Sequence, residues 1–150
     1  MRFKIYIIFL FIIIHNSIIN AQQIDSYVDS LFNTNIHYLL KKCKREKFYN
    51  PLSENNYEIF RFLVAFGEIS SLNVIDICYS EPLTNKKWIE NLIRWYKKNG
   101  CCITQKDYLD VIRINFEIQT FSSLEEYIRF QEEVYERIQQ KFNKLNQNPQ

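Results

Sequence analysis

The chain has 150 residues, with 19 basic and 17 acidic side chains, two histidines, four cysteines, and only two glycines and three prolines. So few turn-forming residues argue against sheets and barrels, which reverse direction often, and the glycine scarcity excludes phosphate-cradling loops. Arg2 and Lys4 precede every acidic residue, so the chain beyond Ala21 is formally neutral and a nucleic acid or other polyanion is not an expected partner.

The first element is residues 1–21, where Arg2 and Lys4 lead into the apolar run Ile5 to Ile14 (IYIIFLFIII) and the chain then turns polar at His15-Asn16-Ser17. A basic start, an apolar block of about ten residues and a small residue before a polar stretch form a signal-peptide pattern, with the cut expected after Ala21. The run is too short for a membrane-spanning helix, which needs about twenty apolar residues. Ile19 is bulky for its place before the cut, so an uncleaved membrane anchor is the alternative, and secretion or a periplasmic location is the main expectation. Residues 22–145 then read as one helical domain and 146–150 (NQNPQ) as a disordered tail.

The spacing predicts helices along that domain. Ile24, Val28, Leu31, Phe32, Leu39 and Cys43 form one stripe up to about Phe48, with a break allowed at Asn33-Thr34-Asn35 and a stop at Pro51. Ser53 is the expected cap of a second helix through Tyr57, Phe60, Leu63, Val64 and Phe66, interrupted or ended by Gly67. Ser70 or Ser71 opens a third over LNVIDICYS, which Pro82 stops. In a fourth, preceded by Thr84, the stripe runs through Trp88, Leu92 and Trp95 and is widened by Ile89, Ile93 and Tyr96, and Gly100 is expected as a left-handed closing residue. Thr104 with Asp107 suggests another start, yet Ile112 to Ile118 (IRINFEI) alternates as a strand would. A short strand near 112–118 is therefore possible, but no second strand is present to pair with it, and helix is favoured. Ser122 with Glu125, or Ser123 with Glu126, makes a capping box for a last helix whose stripe is Leu124, Ile128, Gln131, Tyr135, Ile138, Phe142 and Leu145. The expected fold class is all-α, a compact bundle of about five helices.

Chemistry is sparse. Cys43, Cys78, Cys101 and Cys102 all follow the leader and are disulfide candidates in an oxidising compartment, with three pairings open. Cys43 lies in the basic run KKCKREK, read as a solvated helix face. With no paired-cysteine motif and only His37 left after the leader, no metal site and no cofactor are expected. Trp88, Trp95 and Tyr96 are candidate partner-binding residues, although at helical spacing they read first as core. No catalytic residue is expected. The anticipated function is that of an exported helical protein that binds a protein partner, as an immunity-like or inhibitor-like protein or an envelope accessory protein would. The alternative is a small exported enzyme or thiol-redox protein using Cys101 or Cys102 with His37 or Asp76, the acid that interrupts VIDIC.

Overall fold

The computed structural model describes residues 25–45, 51, 56–70 and 85–147. Its five α-helices are α1 (Ser26–Arg45), α2 (Tyr57–Ser70), α3 (Lys86–Asn99), α4 (Gln105–Phe116) and α5 (Leu124–Gln147), joined in places by 3-10 turns at Gly100–Cys102 and Ile118–Thr120. The fold is all-α, and no strand occurs among the described residues. The leader and the helix expected over 72–80, with Asp76 and Cys78, lie outside the described residues.

Helix α1 buries Val28, Phe32, Ile36 and Leu39 as a single stripe. It runs unbroken through Asn33-Thr34-Asn35, because the Asn35 amide donates to the Leu31 carbonyl within the helix at 2.8 Å. Its start is fixed by Asp25, whose carboxylate accepts from the backbone N–H groups of Tyr27 and Val28 and, from across the molecule, that of Gln105 at 2.8 Å. One side chain thus caps α1 and holds the first residue of α4 beside it. Those three donated bonds, the one from Gln105 foremost, hold the carboxyl below the usual range against the opposing effect of burial and of Asp107.

Asn56, three residues beyond the expected Ser53, caps α2 through the Ile59 N–H at 3.2 Å. This helix is apolar almost all round and buries Phe62, Leu63, Val64, Ala65 and Phe66 in succession, as a helix covered by neighbours should. It also continues through Gly67, which is buried, to Ser70. Phe32, Phe62, Phe66, Tyr96 and Tyr108 meet at the centre, with Phe32 and Tyr96 stacked at 3.6 Å between ring centroids and 8° between planes.

In α3 the buried line is Ile89, Leu92, Tyr96 and Asn99, so Ile89 and Tyr96, expected at the margin of the stripe, stand at its centre with Leu92. The tryptophans flank it, because a wide indole covers the margin of a helix contact without occupying its centre. Asn85 supplies the cap, its side-chain oxygen accepting from the Trp88 N–H at 2.9 Å. Gly100 is not left-handed: its φ of −58° and ψ of −31° are ordinary helical values. Glycine is required there by space, since a Cβ would stand 2.8 Å from the Tyr96 ring, which is itself clamped by Phe32. Gly100→Ala is therefore expected to cost about 1–3 kcal/mol through overpacking, measured by urea denaturation. Gly100→Asn, which a left-handed site would tolerate, is expected to be worse than alanine.

Residues 112–116, read as a possible strand, belong to α4. The alternation has a helical cause: α4 touches α1, α2 and α5, so its buried arc is wide. Ile112 and Ile114, roughly 200° apart around the helix axis, lie at opposite edges of that arc and are both buried. The start read at Thr104 and Asp107 is there and takes the form of a capping box, with the Thr104 N–H donating to the Asp107 carboxylate at 2.9 Å. At α5 the Ser123 hydroxyl accepts the Glu126 N–H, while the Glu126 carboxylate reaches the Ser122 N–H at 2.8 Å. That helix buries Val134 and Ile138, packs Tyr127, Phe130, Tyr135 and Phe142 against the core, and extends to Gln147, two residues into the expected tail. Leu124 and Ile128 do not join the core, remaining 73% and 44% exposed.

Candidate functional site

The turn Gly100–Cys102 places the Sγ atoms of Cys101 and Cys102 at 3.9 Å, well beyond the roughly 2.05 Å of a disulfide. Cys102 is buried and Cys101 half-buried. Burial pushes the Cys102 thiol up to about 11, with Cys101 adding to the shift and the Lys141 ammonium opposing it. Such a thiol is a poor nucleophile at neutral pH. Cys43 is half-buried against the core on α1, and no two cysteine sulfurs among the described residues are at bonding distance.

His37 is exposed on α1. Asp25 meets Gln105 beside the thiol turn, and His37 lies about 18 Å farther along the axis of α1, just past its middle, so the fold does not bring the imidazole to the thiols. Asp76 lies outside the described residues. Among the described residues no three side chains of His, Cys, Asp or Glu converge as a metal site would require.

The three aromatic candidates separate. Tyr96 is a core residue with its hydroxyl 3.5 Å from the Asp29 carboxylate; burial and then Asp29 push that phenol well above its usual value. Trp95 meets the Phe142 ring edge-on at 5.7 Å. Trp88 is packed against the core, and its buried indole N–H finds no hydrogen-bond acceptor among the described residues.

A site that the stripes do not reveal lies between α1, α2 and α4. Tyr27, Leu31 and Asn35, Glu58 and Arg61, and Tyr108, Leu109 and Ile112 line a groove of about 310 Å³. Tyr108 and Ile112 are buried at its floor, whereas Tyr27 and Leu109 stand on its rim, 41% and 45% exposed. Arg61 is held away from free use: it pairs with Glu117 at 2.9 Å and its guanidinium sits 5.6 Å above the Phe116 ring. Glu58 is exposed, and no ion pair among the described residues engages it. Burial, with Tyr27 and Glu58 adding and Arg61 opposing, pushes the Tyr108 phenol up to about 12. The arrangement offers an apolar hollow, a neutral phenol and one uncompensated carboxylate. The signal in the sequence was present but weak: Tyr27 and Leu109 are large apolar residues off the buried stripes of their helices. A second exposed apolar surface, Leu124 and Ile128 with Glu125, Arg129 and Glu132, is an open face of α5 alone. No protein-family model matches the chain, and neither a curated protein nor a solved structure matches it.

Proposed function

We propose that the chain is an exported helical binding protein whose groove between α1, α2 and α4 receives an apolar side chain of a protein partner, with a basic residue of that partner meeting Glu58. The observation that carries this reading is the pairing of exposed Tyr27 and Leu109 over a floor of buried Tyr108 and Ile112. Exposed apolar rims around a preformed hollow are how an anchoring side chain is desolvated, and the unmatched Glu58 supplies charge selectivity. An inhibitor-like or immunity-like protein and an envelope accessory protein both act in this way. Export follows from the leader pattern of residues 1–21, and a disulfide involving Cys78 belongs to the same proposal.

The test is crosslinked capture from the envelope fraction of the source cells with the full chain and its variants. Leu109→Arg and Glu58→Lys are each expected to reduce recovery of the captured protein by about tenfold or more, the equivalent of about 1.4 kcal/mol. Lys144→Glu, near the far end of α5, should leave it unchanged. Equal capture by all three, with native-like circular dichroism, would overturn the groove as the binding site. The mass of the recovered chain and its count of free thiols read the cut after Ala21 and the oxidation state in the same sample.

A further inference from the structure

We propose that two copies of this chain pair antiparallel through the first turns of α5, with Leu124 and Ile128 of each closing over those of the other. Leu124 and Ile128 lie about 40° apart around the helix axis and are 73% and 44% exposed, so they form one apolar strip and not two scattered residues. The strip does not belong to a frayed end. Phe121 meets the Tyr127 ring edge-on at 5.4 Å and lies 5.3 Å from the Phe130 ring, and the Arg113 guanidinium stands 4.2 Å from the first of these rings' shared neighbour, Phe121, and 4.8 Å from Phe130. Those contacts and the caps from Ser122 and Ser123 fix the first turns of α5 on α4 with the strip facing outward. The apolar surface therefore exists before anything covers it.

The charges beside the strip point to a second copy as the occupant. Glu125, Arg129 and Glu132 lie on one side of it, within about 60° of one another around the axis. All three are exposed, and among the described residues no ion pair engages them. A glutamate four residues before an arginine often supports a helix from within, yet here the two do not pair with each other. A two-fold axis crossing α5 level with residue 127 gives both a partner: Glu125 of each copy meets Arg129 of the other, and the contact occurs twice. The same operation sets Leu124 against Ile128 and lays Glu132 over the start of the second copy's α5, the positive end of its dipole. A parallel pair would instead bring this charged side to the side carrying Tyr127 and Gln131, leaving all three charges unmatched. The contact is small, in the class below about 1,200 Å2, so the dimer should dissociate readily, with a Kd in the micromolar range. It uses no residue of the groove between α1, α2 and α4 and stands independently of the proposed function.

The test is sedimentation velocity of the full chain as it is recovered from the source cells, kept reduced with a phosphine so that no disulfide links two copies. A reversible monomer–dimer equilibrium is expected between about 1 µM and 1 mM. Ile128→Glu should weaken it at least about tenfold. Glu125→Arg and Arg129→Glu should each weaken it by about tenfold alone, because the symmetry brings like charges together twice, whereas an equimolar mixture of the two variants should pair about as tightly as wild type. Leu109→Arg, in the groove, should pair like wild type. Far-ultraviolet circular dichroism reports whether each variant is folded. A wild-type chain that stays monomeric throughout, a dimer indifferent to folded Ile128→Glu, or charge variants whose mixture pairs no better than either alone would overturn the proposal.

Discussion

Asp107→Asn is expected to lower the free energy of unfolding by about 2–4 kcal/mol at neutral pH, measured by urea denaturation. Asp107 is 1% exposed and sits where α4 begins and α5 passes. Its carboxylate accepts from the Thr104 N–H, from the Thr104 hydroxyl at 2.7 Å, from Arg137 Nε at 3.0 Å and from the Lys141 ammonium. Asparagine keeps the shape but supplies one acceptor oxygen and turns an amide N–H2 toward one of the two cations, Arg137 at one oxygen position or Lys141 at the other. Asp110 would still hold one arm of Arg137 at 2.6 Å, and both cations are about a third exposed, which keeps the loss below that of a fully buried pair.

The loss should depend on pH with a definite sign. Burial pushes the Asp107 carboxyl up, but the bonds from Lys141, Thr104 and Arg137 outweigh it and hold the folded value below 3.8. A depressed folded pKa stabilises the protein above the unfolded value, and that contribution is lost as pH falls through the folded one. The gap between wild type and Asp107→Asn is therefore expected to be full at pH 5 to 7 and to narrow below 3.8. A gap constant down to pH 2 would refute the ionic account. Arg137→Ala should cost less, about 1–2 kcal/mol, because Asp107 keeps Lys141 and Thr104.

The largest loss is expected from Phe66→Ala, about 3–5 kcal/mol in the same measurement. Phe66 is fully buried, and its ring lies 4.8 Å from Phe62, 5.1 Å from Phe32, 5.8 Å from Tyr108 and 5.9 Å from Tyr96, centroid to centroid. Those rings come from four helices, so a cavity here cannot close by the shift of one neighbour. Phe66→Leu refills most of the volume and should cost about 1–2 kcal/mol. Near-ultraviolet circular dichroism, which reports the fixed asymmetry of the rings, should weaken more in the alanine variant than in the leucine one.

The helices were legible wherever one face was buried and the ends carried their own chemistry. The α1 stripe and the Thr104–Asp107 capping box are examples, because both follow from residues a few positions apart. The errors arose where a distant neighbour decided the outcome. Gly100 is a glycine because of a ring that Phe32 pins, and the strand-like pattern at 112–116 comes from three helices covering α4. The centre of the α3 stripe shifted within its expected width for a similar reason: hydrophobicity marks Trp88 and Trp95 as strongly as Ile89 and Leu92, while packing puts Ile89, Leu92 and Tyr96 at the centre of the contact. The groove was the least legible feature, since its lining is contributed by three helices that no local spacing relates. For the thiol turn, the adjacent cysteines were plain in the sequence, but the separation of their sulfurs is set by the turn that carries them.

Under the proposed export, Asp25 would tie the fidelity of maturation to the integrity of the fold. Its carboxylate holds the starts of two helices, and under the proposed cut after Ala21 only Gln22, Gln23 and Ile24 separate it from the new amino terminus. Under that cut, a peptidase that trimmed four residues too far would remove the carboxylate that bonds the start of α1 to that of α4, so the margin for error would be a single short tripeptide.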